Sequence, residues 1–305
     1  MGVSREFPFA RVLVPLDGSG LAEAALPVVL GLGKRLGSTV TLLHVLERRP
    51  PASIHGERHL SVGGEAGGYL RSVSERLTEA GLEVELHVHE AREGDVAGSI
   101  IEHAHEYKQD LVVLCSHGHG GIRDVLFGSI AQQVMQRSTL PILLVRSEAT
   151  GRGEYAPRAI LVPVDGGHDQ EVSLSAAATM ARAFEASVHL LWAVPTPRTM
   201  EGNDAGTAVL LPTTMRALLD MQEEAAEAAL RAMSDSFAPA GVAVTTQVVR
   251  GEAVRCVAMQ ASRLRPDLVV LASHGRGGLG ALIEGSFTQR LAARVHCPLL
   301  LLRAE

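Results

Sequence analysis

Asp17 closes an apolar run, RVLVPLDGS at 11–19, and Asp165 closes its near copy, RAILVPVDGG at 158–167. A carboxylate at a strand end can accept hydrogen bonds from ribose hydroxyls or an adenine amino group. The same Asp-Gly pair also makes turns and caps helices, but its recurrence in one Pro-x-Asp-Gly context favours binding. A second paired feature is a loop. LVVLCSHGHGGIRDVLFGS at 111–129 returns without a gap as LVVLASHGRGGLGALIEGS at 268–286, with nine residues between Ser-His-Gly and Gly-Ser in both copies. Backbone amides without a crowding Cβ can close around phosphate oxygens, and a helix start adds further donors. The phosphate candidates are Gly118, Gly128 and Ser129 in the first copy, and Gly275, Gly285 and Ser286 in the second. Two loops of equal spacing beside matched aspartates point to two nucleotide-sized sites on one chain.

Other chemistry is thinly represented. No GxxxxGK[ST] lysine is present, and no general base stands out beyond Asp17 and the loop histidines. Binding without turnover is therefore expected, and no catalytic residue is assigned. His87 and His89 share one face of an expected strand and could pair around a metal, but no matching acidic or cysteine ligand accompanies them. His103 and His105, two apart on an expected helix, do not face each other. Cys115, Cys256 and Cys297 lie far apart without CxxC spacing and read as thiols of a reducing compartment. The net charge of −6 is spread over mixed signs, which gives no basic footprint for nucleic acid. No signal-peptide core, myristoylation context or apolar run near ~20 residues appears, so neither a membrane partner nor export is expected. A cytoplasmic location is the expectation.

These residues need a scaffold that brings strand ends together. Continuous apolar runs such as Val12-Leu13-Val14 and Leu111-Val112-Val113-Leu114 read as parallel strands covered on both faces. Helical segments at 22–36, 95–107 and 130–137 lie between them, with a kink expected at Pro27. The alternation implies an α/β chain of two tandem Rossmann-like doubly wound domains, each with a mainly parallel five-stranded sheet flanked by helices. The expected domains are 1–147 and 158–305, joined by a polar linker at 148–157. Early repeat positions are offset by about 148 and later ones by 157, so the second domain carries an insertion. Its expected place is the Pro-, Gly- and Thr-rich tract at 195–212. Ligands of such sheets bind beyond the carboxyl ends of strands where strand order reverses. Asp17 and Asp165 should sit there.

At this point the motifs become specific. VPLDGS, the second strand LLHV, the SHG-nine-GS loop and the closing strand PILLVR together resemble the universal stress protein family, over nearly the whole chain. Adenine-nucleotide-binding members carry G-x2-G-x9-G-S/T at the loop. Here the first glycine is replaced by Cys115 in one repeat and Ala272 in the other. The resemblance implies that the backbone around Val45 contacts adenine, with Leu114 beside the base and Asp17 near ribose. Their counterparts are Ala193, Leu271 and Asp165. Pro15 and Ile130, with Pro163 and Phe287, complete the candidate set. Trp192 stands where the first repeat has His44, while Arg123, Asp124, Arg276 and Glu284 make the loops unequal in charge. A carboxylate such as Glu284 is unfavourable if it faces phosphate.

The resemblance thus implies ATP or another adenine nucleotide as ligand, with magnesium accompanying it left open, and a regulatory role in stress response. Two alternatives stand beside it: a nucleotide-independent interaction scaffold, and a weak ATPase or adenylyl transferase. The terminal strands PILLVRSE (141–148) and PLLLLRAE (298–305) would leave apolar sheet edges, which proteins cover. The expected partner contact is therefore an intramolecular pseudo-dimer through these strands, with a homodimer of chains also open.

Overall fold

Val12, Leu13 and Val14 are all fully buried although they point alternately to opposite faces, as a strand sandwiched between helix layers requires. The computed structural model describes residues 7–47, 53–54, 57–58, 60, 62–90, 95–116, 128–146, 154–167, 170–197, 199, 212–273 and 287–303. In the first half, β1 (Arg11–Pro15), β2 (Thr39–Leu46), β5 (Val84–Glu90), β6 (Leu111–Ser116) and β7 (Ile142–Arg146) form a parallel sheet in the order β5-β2-β1-β6-β7. A small antiparallel pair, β3 (Ser53–Ile54) and β4 (Glu57–Arg58), stands apart from it. The second half repeats the pattern as β10-β9-β8-β11-β12, built from β8 (Ala159–Val164), β9 (Ser187–Val194), β10 (Val244–Arg250), β11 (Leu268–Ser273) and β12 (Leu299–Arg303). Strand order reverses between β1 and β6, and again between β8 and β11.

One aspartate clasps each reversal. Asp110 accepts from the amides of Ala10 and Arg11 at 2.8 and 3.0 Å, pinning the start of β1 beside β6. Asp267 does the same for the amides of Arg158 and Ala159, at 2.8 and 3.0 Å. The halves meet where β7 and β12 pair antiparallel, with Leu300 opposite Leu143, so one ten-stranded sheet runs through the chain. Its two apolar layers each draw on both halves. Arg146, buried at the seam, donates to the carbonyls of Ala292 and Val295 at 2.8 and 2.9 Å.

Two details differ from the sequence expectation. Instead of one helix kinked at Pro27, the chain forms α1 (Gly20–Glu23) and α2 (Leu26–Leu36), with Pro27 in the first turn of α2. There its missing N–H forfeits no helical bond. The extra length of the second half is also not in the tract at 195–212. The segments 47–62 and 195–211 are nearly equal, whereas α7 (Pro212–Ser236) has 25 residues against 17 in α3 (Gly63–Glu79). The alanine- and glutamate-rich run MQEEAAEAALRAM favours continuing a helix. The remaining helices are α4 (Val96–Glu106), α5 (Ser129–Arg137), α6 (Gln170–Phe184), α8 (Ala253–Leu264) and α9 (Phe287–Ala292).

Candidate functional site

Beyond Pro15 the chain must leave the sheet and turn into α1. Asp17 organises that turn: its Oδ1 accepts from the Ser19 amide at 2.9 Å and the Ser19 hydroxyl at 2.6 Å. Ser19 in turn caps α1 by accepting from the Ala22 amide. Gly18 has φ +91°, a conformation that disfavours any side chain, and a Cβ there would also strike Leu60. The turn role and the pocket role of Asp17 therefore coexist. In the second half Asp165 accepts from the Gly167 amide at 2.9 Å, and Gly166 has φ +82° with Trp192 packed where a Cβ would stand.

Pro15, Asp17, Val45, Leu114, Cys115, Gly128, Ser129 and Ile130 line one cavity of about 280 Å³ at the carboxyl ends of β1, β2 and β6. Pro163, Asp165, Ala193, Leu271, Ala272 and Phe287 line the equivalent cavity of about 260 Å³. Gly118, Gly275, Gly285 and Ser286 lie outside the described residues, as do Arg123, Asp124, Arg276 and Glu284. A larger crevice of about 680 Å³ runs beside Tyr155, Asp267 and Cys297, at the other end of the second half's strands. It is a seam under the linker, open on one side and remote from the matched motifs, so its size does not make it the site.

The first cavity is an apolar slot with polar ends. Leu43, Val45, Val96, Ile100, Leu114 and Ile130 supply its walls, and Asp17 and Glu47 are its carboxylates. His44 bridges its edge, with ring nitrogens 2.7 Å from the Leu16 carbonyl and 3.3 Å from that of Leu60. Gly128 occupies the N-cap position of α5, so Ser129, Ile130 and Ala131 belong to the first turn, whose N–H groups have no acceptor within the helix. Such a turn attracts negative charge. Cys115 contributes bulk and not reactivity: burial, aided by the Asp17 charge, pushes its thiol up to about 12. A thiol so protonated is a poor nucleophile.

Sequence reasoning missed the contribution of α4 and of its counterpart α8. Val96 and Ile100, one turn apart, present one face to the first cavity, as Ala253 and Val257 do to the second. Their i,i+4 spacing marks an inward face, but not which strand ends it covers. Gln170 and Ser173 also line the second cavity; the first has Leu21 and Ala22 in that region. Among the described residues, no three His, Cys, Asp or Glu side chains are grouped to hold a metal ion. No described helix is long and apolar enough to cross a membrane.

The duplicated turn, cavity and strand order agree with comparisons to known proteins. The model of the Universal stress protein family matches residues 8–146 and again residues 157–303. Universal stress protein YxiE of Bacillus subtilis is 29% identical over 150 residues, covering 45% of this chain and 99% of its own length. A universal stress protein from Archaeoglobus fulgidus superposes with a TM-score of 0.73 at 18% identity, over 97% of this chain and 98% of its own. Likeness at that identity speaks for the fold, while the doubled family match covers most of the chain. The chain thus belongs to the universal stress protein family, whose proteins are stress-related, and carries the family domain twice.

Proposed function

We propose that each half binds an adenine nucleotide, ATP or a relative, and that the chain acts by binding and not by turnover. The observation that carries this reading is the convergence of three unlike features at one strand-order reversal. An apolar slot suits a base, a carboxylate at its edge suits ribose hydroxyls, and the opening turn of α5 suits phosphate. The second half repeats the slot and the carboxylate. The described walls of both cavities suit the nucleoside portion, and in the first the opening turn of α5 offers backbone amides to phosphate. Magnesium, where it accompanies the nucleotide, would supply charge neutralisation at the phosphates.

Calorimetry of the full chain with ATP, AMP and an inorganic phosphate control tests the proposal. Saturable binding of the two nucleotides, at up to two per chain, is expected. Phosphate should bind far more weakly. Absence of saturable nucleotide binding would overturn the reading, and sustained phosphate release at many turnovers per chain would replace it with an ATPase.

A further inference from the structure

Three histidines that the cavity does not use converge behind it. His87 and His89, on one face of β5, meet His103 of α4 with ring centroids 4.7 and 5.9 Å apart. Tyr107, one turn beyond, stacks on His103 at 4.3 Å and receives the edge of His87 at 4.4 Å. His103 is 4% exposed, yet neither of its ring nitrogens has a hydrogen-bond partner, and His89 Nε2 is likewise buried and unpartnered. A neutral imidazole always carries one donor and one acceptor, and buried groups of either kind are normally satisfied.

The arrangement belongs to the first half alone. Leu43 pairs with His87 in one half and Leu191 pairs with Gln247 in the other, so His87 and His89 correspond to Gln247 and Val249. On the helices, His103 and Tyr107 correspond to Gln260 and Leu264. None of these four replacements titrates in the physiological range.

The surroundings offer a charged His103 no stabilising partner. From β5 it faces His87 and His89, and Glu85 further along that strand is engaged by Arg11 and Thr41. On α4 itself Glu102, His105 and Glu106 are exposed to solvent. From β2 come Leu43 and Val45, with His44 held between carbonyls. From α5 the charged side chain is Arg137, tied to Asp95, and Asp110 before β6 is taken up by backbone amides. Burial first, and then the charges of His87 and His89, hold the His103 imidazole down to about 4.

We propose that this cluster is an acid-sensitive latch between α4 and β5, and that its release loosens the first cavity while leaving the second unchanged. Protonated His103 needs water on both nitrogens and reaches it only if α4 moves off the strand. The same helix carries Val96 and Ile100, which wall the first cavity. The latch stands on the histidine geometry; its effect on ligand rests on the nucleotide reading above. The sign follows from the depressed pKa. The closed state binds the proton less readily than the open one, so closure is fully favoured above about 6.5 and weakens as pH falls toward 4. Each pH unit in that window shifts the balance by up to about tenfold.

Hydrogen exchange on the full chain between pH 7.5 and 5, corrected for intrinsic rates, tests the latch. Protection of α4 should fall by up to about tenfold per unit below pH 6.5, while α8 holds. His103→Gln, which copies Gln260, should abolish this pH dependence. Should that variant fail to fold, His87→Gln with His89→Gln should leave His103 titrating nearer 6.5 and narrow the window. Unchanged α4 protection down to pH 5, or a pH dependence that survives His103→Gln, would overturn the proposal. So would saturable Zn2+ binding at pH 7.5 that shifts the NMR signals of all three histidines, since the cluster would then be a metal site. Nucleotide affinity at the first site should fall in the same window and that at the second should not. If neither half binds nucleotide at any pH, the binding reading fails and hydrogen exchange still judges the latch.

Discussion

The two cavities share a backbone plan, the aspartate that ends the first strand and the leucines of the neighbouring strands, but differ in several side chains around them. Both lie at a reversal of strand order clasped by an aspartate, and both begin with Asp-Gly at positive φ. The first then places Cys115, Ile130 and Ala22 around its slot, where the second has Ala272, Phe287 and Gln170; Glu47 also lines the first and Ser173 the second. Gln170 Oε1 is buried without a partner in the second, so a ligand bound there gains by offering it a hydrogen-bond donor. Beneath the turn, hydrogen-bonded His44 in one half is replaced by Trp192, wedged against Gly166, in the other. Duplication preserved the backbone geometry of the cavity and released side-chain contacts around it. Equal topology therefore does not imply equal sites.

The largest expected effect lies where the halves are most alike. Leu300→Asp would set a carboxylate against Leu143 in the dry seam, both residues being about 1% exposed. An unpaired buried charge should lower stability by on the order of 4 kcal/mol. Leu143→Asp should match it if the seam behaves as a two-fold pairing, and urea unfolding measures both. Wild-type midpoints for the pair would mean that the halves are held together elsewhere.

Next come the matched aspartates. Asp17→Ala and Asp165→Ala should each weaken nucleotide binding tenfold or more in their own half, about 1.4 kcal/mol. Trp192 is the single tryptophan of the chain and lies beside the second site, so its emission separates them. Asp165→Ala should abolish the ligand-dependent change that Asp17→Ala retains. An identical response from both variants would break the assignment of one aspartate to each site.

The smallest effect is expected at Asp95, which caps α4 by accepting from the Gly98 amide and pairs with Arg137 through two bonds of 2.7 Å. Arg137, with help from the Gly98 amide, holds the Asp95 carboxyl down to about 2. Its contribution is present above the ordinary carboxylate range and is lost as pH falls from about 4 through 2. Both side chains are nearly half exposed, so solvent limits the pair to less than ~1 kcal/mol. Asp95→Asn, which keeps a cap, should cost no more than that at pH 7 and flatten acid denaturation below pH 4. A larger loss at pH 7 would show that α4 depends on this end as much as on its histidine face.

Local pattern made much of the fold legible. Apolar runs covered on both faces announced parallel strands, the repeated Pro-x-Asp-Gly motif marked strand ends that line both cavities, and Gly128-Ser129 marked the helix start that lines the first. Pro27 was legible as a helix disturbance, but its place in the first turn of α2 depended on where Ala24 and Ala25 broke the preceding turn. The insertion was misplaced because a Pro- and Gly-rich tract looks like added loop, whereas the chain lengthened α7 by further turns. Polarity along a segment does not report how long its neighbouring helix runs.

The sequence by itself determined the duplicated α/β architecture, the two aspartates and the difference in chemistry between the loops, because these reside in residue types and spacings along the chain. Only the tertiary structure decided which distant faces meet. Val96 and Ile100 reach the slot, Leu143 and Leu300 oppose each other, and His103 closes on His87 and His89 through pairings of elements far apart in sequence. Periodicity tells a residue which side of its own helix or strand it occupies. What lies on that side is set by packing and strand register, which no local spacing encodes.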